Sequence, residues 1–365
     1  MNINRGLLLF ALFLFPARVW GQGCVATGSS GLMFGSSEHR TYALNLTPTS
    51  EQKAAQSVSP VAATSRLWEV SVGYRWFRSQ RHYTGSTEQT HREQEGSAVV
   101  NNNHLIDLVL SRRLFERWRV QLGLPVFIAS RWFPDRQAGV VVGRNVTRSA
   151  GIGDLRISAS RWMFEESPAG NLAVGFGVKL PTGDSDKTDD RGGTNRSVDQ
   201  SIQPGDGGVG LLMTLEAFRA APLGSTWYAS GSYLANPRGN NGVETGRSRS
   251  SESLMSVPDQ YLARTGILLP IPYLRASAVG AGLRLEGIPV EDLLGPSDAF
   301  RRPGLVASVE PSLILGNDRF LFSISAPVAF HRERQRSVPD RQDPGRHGDA
   351  AFADYSLLIS QSFRF

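Results

Sequence analysis

The sequence predicts an all-β fold, a transmembrane antiparallel up-and-down β-barrel of about twelve strands with short periplasmic turns and long extracellular loops. Three observations carry this. The chain ends on an alternating strand closed by an aromatic ring. Its other end has the form of an export signal. Between the two ends, long and short connections alternate strictly.

Counting back in twos from Phe365 gives Phe363, Gln361, Ile359, Leu357 and Tyr355 on one face of the last strand. Arg364, Ser362, Ser360, Leu358, Ser356 and Asp354 occupy the other. A period of two with one mostly apolar face describes a strand set between two solvents. Tyr355, Leu357, Ile359, Phe363 and Phe365 form the candidate barrel insertion signal, to be read by the barrel-assembly machinery.

Residues 1–21 have the pattern of a secretory signal peptide: Arg5, then the apolar run Leu7 to Phe15, then Val19-Trp20-Gly21 as cleavage site. The run is too short for a spanning helix, which needs about 20 apolar residues. Cys24 is the single cysteine, so an intrachain disulfide is excluded. Gly21 stands where a lipoprotein site wants an aliphatic residue, which leaves a free or intermolecularly paired thiol as the simpler reading. Residues 22–66 are rich in Ser, Thr, Ala, Gly and Gln. They form a flexible N-terminal periplasmic segment or a plug folded into the lumen. The barrel is assigned to 67–365.

Hydrophobic residues make up 40% of the chain and the mean hydropathy is −0.22, values ordinary for a soluble protein. A barrel reconciles them with a membrane, because only alternate side chains face lipid. The net charge is +6. Its arginines are scattered rather than gathered into a stripe, so nucleic acid is not the expected partner. Outer-membrane lipid and anionic lipopolysaccharide are.

The alternating segments follow in order. The first sets Trp68, Val70, Val72, Tyr74 and Trp76 on one face. The second, near 104–114, alternates Ile106, Leu108 and Leu110 with Asp107 and Ser111. The third places Trp118, Val120, Leu122, Leu124 and Val126 opposite Arg119, Gln121, Gly123 and Pro125. The fourth spans 152–164. The fifth alternates Leu172, Val174, Phe176 and Val178 with Ala173, Gly175, Gly177 and Lys179. The sixth, 208–220, sets Val209, Leu211, Met213 and Leu215 against Gly210, Thr214 and Glu216. The seventh (225–236) and eighth (259–270) are less regular. The ninth, 274–287, puts Val279, Leu283 and Leu285 opposite Gly280, Gly282 and Arg284. The tenth, 304–315, pairs Leu305, Ala307 and Val309 with Ser308 and Glu310, and the eleventh alternates Phe320, Phe322 and Ile324 with Ser323 and Ser325. The twelfth is the terminal strand.

Tight turns are expected near 115–117, 165–170, 221–224, 271–272 and 316–318. Long loops are expected near 80–103, 133–150, 182–206, 237–258, 288–302 and 332–350. This asymmetry places both chain ends on the periplasmic side.

Three motifs punctuate the strands: Gly151-Ile152-Gly153-Asp154, Pro181-Thr182-Gly183-Asp184 and Gln203-Pro204-Gly205-Asp206-Gly207-Gly208. In this order and spacing, over about 118–365, the chain resembles the MetA-pathway of phenol degradation family of outer-membrane β-barrel proteins. The resemblance implies a barrel and a transporter-like role toward small organic solutes, aromatic ones among them. Asp206 stands where the family pattern leads one to expect a small hydroxyl residue. Read from the residues alone, these motifs are structural: Pro ends a ladder at the rim, and Gly permits sharp turns.

Other chemistries are poorly supported. The acidic run Asp184 to Asp190 is diluted by Lys187 and does not have EF-hand spacing, so a solvated loop is expected and no metal is assigned. No phosphate-cradling Gly-Lys-Ser/Thr pattern occurs, and no cofactor is expected. No serine sits in a nucleophile context. A lipid-modifying enzyme would have to use His104 with Asp107, or His331. The protein is not expected to be an enzyme.

The inward positions mix small residues with charges of both signs. Glu69, Arg75, Asp107, Arg119, Arg156, Lys179, Glu216, Arg284, Glu310 and Asp354 are the pore-lining candidates. They would form either a polar channel or an internal salt-bridge network that seals the barrel. The expected function is passive uptake of small organic solutes across the bacterial cell outer membrane. The alternatives are a sealed structural or adhesive barrel with partner-binding loops and, less favoured, a lipid-modifying barrel.

Overall fold

The computed structural model describes residues 67–365 apart from 116, 275, 276 and 318. The export signal, Cys24 and the 22–66 segment lie outside the described residues.

Twelve antiparallel strands close into a ring. They are β1 (Trp68–Ser79), β2 (Val100–Leu114), β3 (Trp118–Gln137), β4 (Val140–Ile152 continuing as Leu155–Trp162), β5 (Gly170–Leu180) and β6 (Gly210–Ala220). The second half is β7 (Thr226–Ala235), β8 (Gln260–Pro270), β9 (Ala278–Ile288), β10 (Gly304–Gly316), β11 (Phe320–Ser325 continuing as Val328–Arg334) and β12 (Ser356–Arg364). Each pairs with its sequence neighbours. β12 also pairs with β1, in the register Glu69↔Arg364 to Phe77↔Ser356. Closure leaves the sheet no free edge.

The faces separate as the alternation predicts. Val70, Val72, Leu211, Leu215, Leu283 and Phe322 are exposed on the outside, whereas Ser71, Arg75, Glu216, Arg284 and Ser323 are buried within. An apolar band of this extent suits lipid and not water.

The short connections fall where expected. At that same end of the barrel Trp68 N donates to Phe365 O at 3.2 Å, and Phe365 N donates to Trp68 O at 2.9 Å.

One long connection differs from the expectation. The 133–150 stretch is not an open loop. β3 and β4 run on as a hairpin, turned at Ala138-Gly139 with φ values of 49° and 85°. Two positive φ values in a two-residue turn match the twist of the strands they join. The other long connections stay irregular, and most of them carry short elements. The one after β5 folds a hairpin (Thr188–Asp190 with Asn195–Ser197) and a 3-10 turn (Gln200–Ile202). In the one after β11, Ala350–Phe352 pairs with Arg81–Thr84.

Candidate functional site: the barrel interior

The structure places all ten charged candidates on the inner side, nine of them buried and Arg119 partly so. Each has an opposite charge beside it. Arg156 donates to Asp107, Arg119 lies 3.9 Å from Glu216, and Arg284 lies 4.0 Å from Glu310. The others are joined to residues outside the set of pore-lining candidates. Glu69 pairs with Arg364 at 3.3 Å, Lys179 with Asp206, and Asp354 with Arg332 and Arg81. Arg75 meets Glu286, and Glu310 meets Arg264. Glu286 was legible, two residues beyond Arg284 and in the same phase. Arg264 was hidden by the weak alternation of β8.

Five of these residues form a belt across the lumen. Arg75 Nη2 on β1 donates to both carboxylate oxygens of Glu286 on β9, at 2.9 and 3.0 Å. Arg284 Nη2 donates to Glu286 Oε2 at 3.0 Å. Arg264 on β8 binds Glu310 on β10 through Nε and Nη2, at 3.0 and 2.9 Å, and Ser325 Oγ donates to Glu310 Oε1 at 2.9 Å. Bidentate guanidinium–carboxylate geometry offsets part of the desolvation cost that buried charges carry.

The belt has a layer on either side. Toward the short turns, Phe218, Tyr228, Leu268, Ala278, Ile314 and Leu321 form an apolar cluster with Trp162 against it. These side chains face inward from β6 to β11. Toward the long loops, the connection after β5 folds inward. Val198 and Ile202 from that connection pack on Leu105, Phe127 and Ala129 of β2 and β3. Asp199 anchors it, accepting from Arg302 Nη1 and Nη2 at 2.9 and 2.7 Å, with Arg131 at 3.4 Å. Burial by itself would raise the Asp199 carboxyl, but the two guanidinium groups outweigh it and hold it well below the usual carboxylate range.

The three rim motifs meet in space. β4 carries an extra residue around Gly153-Asp154: two residues of β3 face three of β4 between Val126↔Ile152 and Gly123↔Arg156. The bulge turns Asp154 inward, where its carboxylate accepts from Gly183 N at 3.0 Å and Asp206 N at 3.1 Å. Thr182 Oγ1 accepts from Leu155 N at 2.9 Å. A Cβ on Gly183 would lie 2.6 Å from the carbonyl carbon of Gly153, and one on Gly205 would lie 2.6 Å from that of Gly183. The motifs are therefore a backbone stack that only glycine permits. Asp206 supplies the carboxylate that Lys179 binds.

Histidine geometry bears on covalent chemistry. His104 and Asp107 do not come together: His104 faces outward on β2 and Asp107 inward. The His104 ring nitrogens bond Tyr74 Oη at 2.8 Å and Asn102 Nδ2 at 3.0 Å. His331 is exposed. Asp184 of the acidic run pairs with Lys187 at 2.9 Å. Among the described residues no group of three His, Cys, Asp or Glu side chains is placed to hold a metal ion.

Residues 90–231 match the family model described as Putative MetA-pathway of phenol degradation. Among solved structures, the chain is similar to an outer membrane channel from Pseudomonas putida F1. The TM-score is 0.54 at 12% identity, covering 84% of this chain and all of that one. The likeness is one of fold: this chain is an outer-membrane-type β-barrel. Weaker overlaps are with a Pseudomonas aeruginosa FadL homologue (TM-score 0.40, 8% identity, 94% of this chain and 99% of that one) and with a TodX mutant monoaromatic hydrocarbon channel (0.39, 9%, 86% and 94%). No curated protein matches the sequence. For an outer-membrane barrel the layers described above lie along the only route between the two sides of the membrane within the wall.

Proposed function

We propose that this outer-membrane barrel is a channel for the passive uptake of small organic solutes, aromatic or hydrophobic ones among them. The contrast of solvents across one closed sheet carries this reading: apolar side chains outside, small polar and ion-paired ones inside. The work is done by lining a path, without covalent chemistry. The ten inward charges are then the pore lining. Export through residues 1–21, a separate segment at 22–66 and recognition of the last strand by the barrel-assembly machinery belong to the same reading. Planar-bilayer conductance and liposome swelling with purified protein test it. Measurable permeation is expected, and a folded barrel that passes neither ions nor solutes would overturn it.

The ion-pair belt favours a second reading, a sealed barrel whose outer loops bind a partner. On that reading the lumen conducts nothing, and trimming the loop after β7 abolishes partner binding with permeability left at background.

A further inference from the structure

The outer face of a membrane barrel meets oil, so a charge placed there needs a partner. Toward the short turns, three outward arginines each stand beside a tryptophan on the neighbouring strand. Trp68 of β1 faces Arg112 of β2, Trp118 of β3 faces Arg161 of β4, and Trp227 of β7 faces Arg219 of β6. All six side chains are exposed, the tryptophans by 36%, 43% and 41%. The guanidinium carbon of Arg112 lies 4.9 Å from the Trp68 ring centroid, and that of Arg161 lies 5.7 Å from the Trp118 centroid. Arg219 and Trp227 share the same cross-strand register.

These arginines differ from those inside. Arg75, Arg264 and Arg284 each have a carboxylate beside them in the lumen. Arg112, Arg161 and Arg219 have none among the described residues, and at this end of the barrel the outward strand positions hold no Asp or Glu. A tryptophan ring settles at the boundary between hydrocarbon and headgroups. A guanidinium stacked on it is held at that same depth, with its fork of N–H donors turned to the headgroup layer. The anion that fits this fork is a phosphate, which can accept two parallel hydrogen bonds from it. We propose that these three Trp–Arg pairs bind the phosphodiester headgroups of anionic phospholipids in the periplasmic leaflet.

Each part of that description has its own cause. The leaflet follows from the turns, since short connections mark the periplasmic end of an outer-membrane barrel. The preference for a net negative lipid follows from Coulomb's law: in a zwitterionic headgroup the lipid's own cation competes for the phosphate and repels the guanidinium. The acyl chains lie along the apolar side chains that continue each strand, Val70 and Val72 beyond Trp68 and Leu122 beyond Trp118. The inference needs a barrel in a membrane and does not depend on the channel reading.

The test is native mass spectrometry of detergent-purified full-length protein with phosphatidylglycerol or with phosphatidylcholine of the same acyl chains. Up to three retained phosphatidylglycerol molecules are expected, each held about fivefold more tightly than phosphatidylcholine, the weight of one basic residue at an anionic surface. Arg112→Gln, Arg161→Gln and Arg219→Gln should each remove one of the three, and the triple variant should retain the two lipids equally. Arg78→Gln makes the same charge change on the outer face at the other end of β1 and should alter nothing. The heat-modifiable gel shift checks that each variant is a folded barrel. Where a glutamine variant fails it, the lysine variant replaces it and should still weaken retention, because lysine lacks the planar fork. Equal retention of the two lipids by the wild type would overturn the proposal, as would retention that survives the triple substitution or falls equally in Arg78→Gln. Displacement of the lipid by inorganic phosphate would assign the sites to the free ion and overturn it too. Conductance of the triple variant should equal that of the wild type, so a barrel that passes no solute counts against the channel reading alone.

Discussion

Arg75 and Glu286 meet across the lumen from strands that lie four places apart in the closed ring, joined by hydrogen bonds of 2.9 and 3.0 Å. Neither residue is near the other in sequence or in the sheet ladder. Their contact exists only because β12 returns to β1, so it reports closure directly. It also places opposite charges in the middle of any axial route.

Glu286→Gln keeps the shape of this contact and removes its charge. Arg75 and Arg284 then lose their shared carboxylate. Removing one partner from a buried pair costs ~3–5 kcal/mol. The expected outcomes are a lower temperature for loss of the folded band on heat-modifiability gels, a higher conductance, and a shift toward anions. Reversal potentials in a KCl gradient check the last. Unchanged conductance and selectivity would take the belt off the path.

Asp199 ties the connection after β5 into the mouth through Arg302 and Arg131. Its pKa is depressed in the folded protein. The stability it contributes is therefore present above the ordinary Asp value of about 4 and is lost only as pH falls through the lower folded value. Resistance of residues 182–209 to proteolysis should stay constant from pH 8 to pH 5. Asp199→Asn should abolish that resistance across the whole range. A wild-type loop that loosens between pH 7 and pH 5 would contradict the clamp.

The strands were legible because lipid and lumen impose a period of two wherever one face is oily and the other wet. Where both faces meet water, the signal disappears. That is why 133–150 reads as a loop: Arg136, Gln137, Arg144 and Asn145 break up any continuous apolar face there. The rim motifs were legible as motifs, but their stacking on one another was not, since it depends on a bulge at Gly153-Asp154. Charges could be assigned to the inner face from phase alone. Their pairing could not, because it depends on which strands the ring brings opposite. The inward turn of the connection after β5 rests on two apolar residues, Val198 and Ile202, too few to signal burial in a polar stretch.

The glycine stack sets a steric test. Gly183→Ala puts a Cβ 2.6 Å from the Gly153 backbone, and Gly205→Ala does the same against Gly183. Backbone cannot yield as a side chain does, so each should destabilise the barrel by ~1–3 kcal/mol. Gly143→Ala is the control, with Asp135 Cβ its nearest neighbour at 4.0 Å. Heat-modifiability gels should separate the first two from the third. Equal behaviour of all three would mean that the rim relaxes freely around a methyl group.

The last strand carries the final prediction. Phe363 packs against Phe320 of β11 at 4.8 Å between ring centroids, and Phe365 lies 5.9 Å beyond it. Phe365 and Trp68 exchange backbone hydrogen bonds that complete the seam. Two roles can therefore be separated. Phe363→Ala removes a ring contact worth ~0.5–1.5 kcal/mol beyond its buried area and should lower barrel stability in detergent. Phe365→Ala leaves the backbone bonds intact and removes an exposed ring, so refolding from urea into detergent should proceed as in the wild type. If the aromatic end is the insertion signal, the same Phe365→Ala chain should nonetheless be depleted from outer-membrane fractions and accumulate in the periplasm. Normal outer-membrane levels of that variant would assign the terminal ring to packing alone.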